Sequence, residues 1–156
     1  MQLCCLVKNL NEVEDCFEKG LLKKTEKNKR IALQDISQAE FFLNEAFDLI
    51  NLKKKEMAAI ALYNSVFHAG RALLFLDGIK EKSHYCMQKY LEKISADKKI
   101  LSSEELSLFD LLRGIRQEVQ YNINKVSFEE NFNELYNKSE DFTEKIKKIV
   151  LSAKKQ

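Results

Sequence analysis

Residues 56–78, with the sequence EMAAIALYNSVFHAGRALLFLDG, contain the helix on which the rest of the fold depends. Apolar side chains recur along this stretch at spacings of three and four, in two stripes rather than one. The first stripe consists of Ala59, Leu62, Val66, Ala69 and Leu73, and the second of Tyr63, Phe67, Gly70 and Leu74. Because a helix that is apolar on two faces must be covered on both, we predict a central helix from Glu56 to Leu76. Gly78 is expected to end it.

The flanking sequence predicts three further long helices and one short one. A single apolar stripe at helical spacing runs through residues 28–52, and a shorter helix is predicted at 84–94 with Ser83 as its N-cap. Two more helices are expected to start at capping boxes, in which a serine is followed three residues later by a glutamate. These pairs are Ser102 with Glu105 and Ser127 with Glu130.

The composition supports one all-α domain. The 156 residues include no proline and only four glycines, so few positions interrupt helices. We expect a single domain over residues 1–156, with a lead-in segment at 1–25 and a helical core at about 28–153. The net charge of +2 is too small to indicate general affinity for nucleic acid, so any such contact must be local.

The cysteines and the N-terminal sequence indicate the cellular compartment and its redox state. The four cysteines, Cys4, Cys5, Cys16 and Cys86, form no CxxC pair, and there are only two histidines. We therefore predict no structural metal, no cofactor, and free thiols in a reducing cytoplasm. The apolar run at the N-terminus is short and is broken by Lys8, which is unlike a signal peptide or a membrane span. No membrane partner is expected.

Three polar clusters interrupt the apolar pattern. Arg113, Arg116 and Gln120 share one helix face and either bind a ligand or lie in solvent, with Arg116 paired to a carboxylate. His68 and Arg71 interrupt the central helix, where an inter-helix hydrogen bond and an ion pair are the alternative to catalysis. The third cluster, Lys82-Ser83-His84-Tyr85, is at a helix start, where backbone donors and Lys82 would suit an anion, although Ser83 is equally explained as an ordinary cap.

Three runs of the sequence together resemble a known family. They are residues 63–78 (YNSVFHAGRALLFLDG), 81–86 (EKSHYC) and 116–121 (RQEVQY). Over roughly residues 16–150 the chain is similar to prokaryotic HEPN proteins of the UPF0332 type. The resemblance implies an up-and-down bundle of four or five helices that forms a homodimer with a polar cleft between the subunits. Many HEPN relatives are metal-independent ribonucleases or toxins, often encoded with a small nucleotidyltransferase as antitoxin.

The hallmark of these relatives is an arginine, a polar residue, and a histidine five to seven positions after the arginine. Here Arg116 matches the arginine, Gln117 the polar residue, and Tyr121 stands at the first position open to the histidine. A phenol with a pKa near 10 is a poorer base at neutral pH than an imidazole with a pKa near 6.5. The resemblance therefore assigns Arg116 and Tyr121 as the candidate catalytic pair, with the proton carrier changed.

Three hypotheses follow for the function. The first is a homodimeric module that binds RNA, a nucleotide or a nucleotidyltransferase partner through an arginine-lined cleft between subunits. Its candidate ligand-binding residues are Lys82, His84, Arg113, Arg116, Gln117, Gln120 and Tyr121. The second is a metal-independent endoribonuclease toxin that uses Arg116 and Tyr121. The third is a purely structural helical dimer, in which the polar helix end is a solvated rim.

Overall fold

The described residues form six helices and a two-stranded ribbon. The computed structural model describes residues 12–122 and 127–154. In chain order the elements are α1 (described over residues 12–18), β1 (Leu22–Lys24), α2 (Lys29–Asn51), α3 (Lys55–Asp77), β2 (Ile79–Glu81), α4 (His84–Lys98), α5 (Ser103–Tyr121) and α6 (Phe132–Ser152). The predicted all-α bundle is confirmed, and helices α2, α3 and α5 match the predicted segments closely.

Helix α3 is the centre of the bundle, as its two apolar stripes predict. It packs against α2, α4, α5 and α6 and buries thirteen of its residues. By length and composition α3 would be apolar enough to cross a membrane, but 67% of its most apolar window is buried inside the protein. Gly70 lets α4 approach closely, because a Cβ atom there would lie 2.8 Å from Met87 Cε and 2.9 Å from Leu91 Cδ1.

Serine and asparagine side chains begin four of the helices. Ser83 accepts a hydrogen bond from the Cys86 amide, and Ser102 forms the predicted capping box with Glu105, so both predicted caps are confirmed. The predicted cap at Ser127, with Glu130, is wrong. Helix α6 begins four residues later, where Asn131 accepts from the amides of residues 133 and 134 and Phe132 is buried in the core. The helix begins at the first residue that packs into the core, because a capping hydrogen bond alone stabilises a helix only weakly. Asn28 caps α2.

A small antiparallel ribbon was not predicted. Leu22 pairs with Glu81 and Lys24 with Ile79, and Leu22 and Ile79 are both buried. Gly78 ends α3 in the left-handed conformation, as expected, and turns the chain directly into β2. A Cβ atom at Gly78 would lie 2.7 Å from the Thr25 carbonyl oxygen, so this corner requires glycine. The ribbon determines where α4 begins.

The prediction of free thiols is wrong for two of the four cysteines. Cys16 of α1 and Cys86 of α4 form a disulfide, with 5.8 Å between their Cα atoms. Both residues are buried, and they are 70 positions apart in the chain, so sequence spacing alone gave no sign of the pair. Cys4 and Cys5 lie outside the described residues, as does most of the predicted lead-in before residue 12. The bond fastens α1 to the first turn of α4.

Candidate functional site

Three rings from two helices form the floor of a candidate site. Tyr63 and Phe67 lie one turn apart on α3, with ring centres 6.0 Å from each other. His84, the first residue of α4, has its ring centre 4.4 Å from that of Phe67. Its Nδ1 atom is 2.7 Å from the Tyr63 hydroxyl oxygen, which is hydrogen-bond distance. The Ser83 cap and strand β2 hold His84 against these rings.

Two guanidinium groups lie against this aromatic floor. The Arg116 Cζ atom is 5.3 Å from the centre of the Tyr63 ring, and the Arg71 Cζ atom is 5.3 Å from that of Phe67. Arg116 reaches Tyr63 because it follows Phe109 by two helical turns, and the Phe109 ring packs edge-on against Tyr63. Both contacts are within the range in which an aromatic face attracts a cation.

The arginines differ in whether their charge is paired. Arg71 forms ion pairs with Asp35 and Glu81. Arg113 donates hydrogen bonds to Asp110 and Gln88. Arg71 Nε is 3.0 Å from Asp35 Oδ2, Arg71 Nη1 is 3.7 Å from Glu81 Oε1, and Arg113 Nη2 is 2.8 Å from Asp110 Oδ1. Arg116 has no ion pair with any residue of ranges 12–122 and 127–154. The expected carboxylate partner is therefore not found there, and the site has uncompensated positive charge.

The field of this cluster acts on His84. Burial lowers the pKa of His84, and the positive charges of Arg116, Arg71 and Arg113 lower it further. The chain has only four arginines, and three of them lie near this one histidine, so positive charge is concentrated at the site. Burial raises the pKa of Tyr63 to about 12, although Arg116 and Arg113 oppose that change. At neutral pH the site therefore holds a neutral imidazole and a neutral phenol among arginines.

A buried ion network between α2 and α3 adjoins the site and shares Arg71 with it. Asp35 of α2 is 3.0 Å from His68 Nδ1 and accepts hydrogen bonds from Arg71. Burial of the Asp35 carboxyl favours its neutral form, but the hydrogen bonds from His68 and Arg71 outweigh burial and hold its pKa below the ordinary value. His68 and Arg71 thus make the inter-helix hydrogen bond and ion pair that were one of their two predicted readings. Arg71 belongs to both the network and the site.

The structure brings together some of the predicted site residues. Arg113, Arg116 and His84, which belong to separate clusters in the sequence, converge beside Tyr63. Exposed residues nearby in sequence are Lys82, Gln117, Gln120 and Tyr121. Tyr121 is 75% exposed and follows Arg116 by five residues, which places it about 140° further around the helix. It makes no ring contact or hydrogen bond with the described part of the site.

Sequence reasoning missed two members of the site, Tyr63 and Phe67, and it singled out Arg71 without assigning it to the same site as Arg116. Tyr63 and Phe67 were assigned to a packing stripe, and their four-residue spacing gave no sign that a guanidinium group lies over each ring. The signal that pointed to the site was the unusual pair of arginines on α5. No group of three histidine, cysteine, aspartate or glutamate residues within 12–122 and 127–154 is arranged to hold a metal ion.

The helical bundle and its arginine-bearing fifth helix define the class of this protein. The HEPN domain profile matches residues 33–149, which include all of α3, α4 and α5 and most of α2 and α6. The chain therefore belongs to the HEPN domain family, whose members in general have RNA-binding or nuclease-like roles. A comparison with curated proteins gives no match.

Proposed function

We propose that this HEPN protein is a homodimeric module that binds RNA by its phosphate groups. The observation that carries the proposal is the guanidinium of Arg116, which lies against Tyr63 and beside His84 and has no ion pair within the described part of the chain. Among residues 12–122 and 127–154 no carboxylate occupies the hydrogen-bond donors of this partly buried arginine. Arg116 is well suited to bind an anion, because its planar fork of donors matches the oxygens of a phosphate.

The surroundings of Arg116 support a phosphate rather than a carboxylate-bearing ligand. The positive charges of Arg116, Arg71 and Arg113 all act on His84, although Arg71 and Arg113 are paired with carboxylates and Arg116 has none among the described residues. Exposed polar side chains on the next turns of α5, Gln117 and Gln120, would extend contacts along a strand. RNA offers several phosphates in a row together with bases that can stack on exposed rings such as Tyr121.

The proposal includes a cleft between two subunits. Supporting it are the resemblance to dimeric relatives and the surface of α5 beside the arginines. A Cβ atom at Gly114 would meet nothing within 4 Å, and Leu111, one turn earlier, is 42% exposed. The candidate protein partner of the homodimer is a small nucleotidyltransferase in a toxin–antitoxin pair. The predicted cytoplasmic location loses the support of free thiols, because Cys16 and Cys86 form a disulfide.

The proposal is tested by titrating a fluorescein-labelled single-stranded RNA with wild type, Arg116→Ala and Arg30→Ala. Arg30 is the one arginine outside the cluster; it is exposed on α2 and serves as the matched control. Loss of charged hydrogen bonds worth about 1.5–3 kcal/mol predicts a roughly 10- to 100-fold weaker affinity for Arg116→Ala. Affinity should also fall as salt rises, with a smaller slope in Arg116→Ala.

Several outcomes would redirect the proposal. Equal RNA affinity in all three proteins, with unchanged circular dichroism, removes Arg116 from the binding site. Binding of a mononucleotide or of a nucleotidyltransferase, with no binding of RNA, would assign the site to one of those ligands. A monomer in analytical ultracentrifugation would remove the cleft between subunits. The position and exposure of Tyr121 give no support to a ribonuclease built on Arg116 and Tyr121, so we do not propose that pair.

A further inference from the structure

The guanidinium of Arg71 is hydrogen-bonded to a carboxylate on one side only. Its Nε atom is 3.0 Å from Asp35 Oδ2, and its Nη2 atom is 2.5 Å from Asp35 Oδ1. The third nitrogen, Nη1, is 3.7 Å from Glu81 Oε1, which is close enough for an ion pair but too long for a hydrogen bond. Within residues 12–122 and 127–154, Nη1 therefore keeps donors for another acceptor.

Glu81 is the other half of this loose ion pair. Its side chain is only 10% exposed, and its Oε2 atom is buried with no hydrogen-bond partner in the part of the chain that the structure describes. A buried carboxylate oxygen without a donor is costly, so a native protein rarely keeps one without a reason. The ribbon holds the carboxyl in this position, because Glu81 ends β2 and pairs with the buried Leu22 of β1.

We propose that an RNA phosphate takes the place of Glu81 at Nη1 of Arg71, and that Glu81 takes up a proton from solvent as the phosphate binds. The inference rests on the proposed function and adds a second phosphate-binding group to it. Arg71 and Arg116 lie against neighbouring rings, each with its Cζ atom 5.3 Å from one ring centre, and the two ring centres are 6.0 Å apart. The two guanidinium groups therefore bind phosphates of one strand.

The charges around Glu81 determine the direction of this coupling. Burial raises the pKa of Glu81 and Asp35 of α2 raises it too, and together they outweigh its own backbone, Arg71 of α3 and Lys80 of β2, which lower it. A phosphate at Arg71 brings a negative charge close to Glu81 and occupies the cation that favours its ionised form. The pKa of Glu81 therefore rises further in the complex, and a proton is taken up at pH values between the free and the bound pKa.

Two histidines near the same groups have to be separated from Glu81 in any test. His84 begins α4, which contacts β2, and its pKa is lowered by burial and by the arginines. His68 of α3 has its Nδ1 atom 3.0 Å from Asp35 Oδ1. The residue opposite Glu81 on β1 is Leu22, which does not titrate. Histidine variants are therefore measured beside the Glu81 variant.

The test titrates an unlabelled single-stranded RNA oligonucleotide with hydroxyl ends into the full-length protein by isothermal titration calorimetry. Such an RNA carries only phosphodiesters, so its charge stays constant over the pH range used. Two buffers with different heats of ionisation, at about pH 6, give the number of protons taken up on binding. We expect uptake by wild type, loss of that uptake in Glu81→Gln, and uptake that persists in His84→Gln and in His68→Gln.

Affinity is the second readout. Glutamine has no charge to repel the phosphate, so Glu81→Gln should bind RNA roughly 10-fold more tightly than wild type at about pH 8, with a smaller difference at about pH 5.5. The matched control is Glu26→Gln, which removes the same charge from an exposed position between β1 and α2 and should change affinity less than about 2-fold. Arg71→Lys, which lacks the planar fork, should lower both affinity and proton uptake.

Several results would overturn the inference. Equal affinity of wild type and Glu81→Gln, with no proton uptake by wild type, leaves Glu81 a structural acid and the proposed function intact. Uptake that persists in Glu81→Gln and disappears in a histidine variant assigns the proton to that histidine instead. If circular dichroism shows that Glu81→Gln does not fold, uptake that survives both histidine substitutions supports the inference, and no uptake by wild type overturns it. Failure of wild type to bind RNA overturns both proposals.

Discussion

The buried ion network behind the site should stabilise the fold measurably, and Asp35→Asn is the substitution that tests it. The Asp35 side chain is 4% exposed and is within hydrogen-bond distance of both Arg71 and His68. Breaking a buried pair by removing one partner costs about 3–5 kcal/mol. Arg71 is 28% exposed and keeps Glu81 at 3.7 Å, so we expect the lower end, about 3 kcal/mol.

Urea unfolding at pH 7, followed by circular dichroism, measures this loss. With a slope of about 2 kcal/mol per molar, a loss of 3 kcal/mol lowers the midpoint by about 1.5 M. The matched control is Asp48→Asn, an exposed aspartate on the same helix, which should change stability by less than about 0.5 kcal/mol. A cost below about 1 kcal/mol for Asp35→Asn, or one equal to that of the control, would refute the network as a stabilising element.

The stability difference between wild type and Asp35→Asn should also depend on pH, in a direction that the pKa of Asp35 determines. The pKa of Asp35 is lower in the folded protein than in the unfolded chain, so its contribution is fully present above the unfolded pKa. It is lost as the pH falls through the folded pKa. The stability gap between wild type and Asp35→Asn should therefore be constant from pH 7 to about 5 and should narrow below about 4. A gap that widens in acid would contradict this reasoning.

Three further changes test other parts of the structure. Gly114→Ala should stabilise α5 by about 0.5–1 kcal/mol, because its Cβ meets nothing in the protomer; destabilisation, measured by thermal unfolding, would show that another chain packs there. Reducing the Cys16–Cys86 bond should cost about 4 kcal/mol in urea unfolding, given the long loop that it closes. Asn131→Ala should cost about 1 kcal/mol and Ser127→Ala almost nothing in the same assay; the reverse order would restore the predicted start of α6.

The helices could be predicted from the sequence because their signals are local. The double stripe around Tyr63 identified α3 as the central helix, and Ser83 and Ser102 were correctly recognised as caps. The error at Ser127 has a local cause as well. A serine followed by a glutamate shows that a cap can form, but not that the next residue reaches the core, as it does after Asn131.

The site could be predicted only in pieces. Arg116 and His84 were both selected from the sequence, but nothing local shows that α4 and α5 meet over the same part of α3. Their meeting depends on Gly70, which admits α4 closely, and on Phe109, which places α5 against Tyr63. The disulfide and the ribbon escaped prediction for the same reason, because each joins residues that are far apart in the chain.

The ribbon also bears on the order in which the molecule assembles. Its strands, Leu22–Lys24 and Ile79–Glu81, are separated by the whole of α2 and α3, so pairing them in a disordered chain would carry a large loop-closure entropy. We expect the α2–α3 hairpin to form first and bring the strand ends together. Only then is the first turn of α4 fixed, so that His84 can pack against Tyr63 and Phe67. A partly folded or newly synthesised chain would therefore acquire its helical scaffold well before it acquires a competent site.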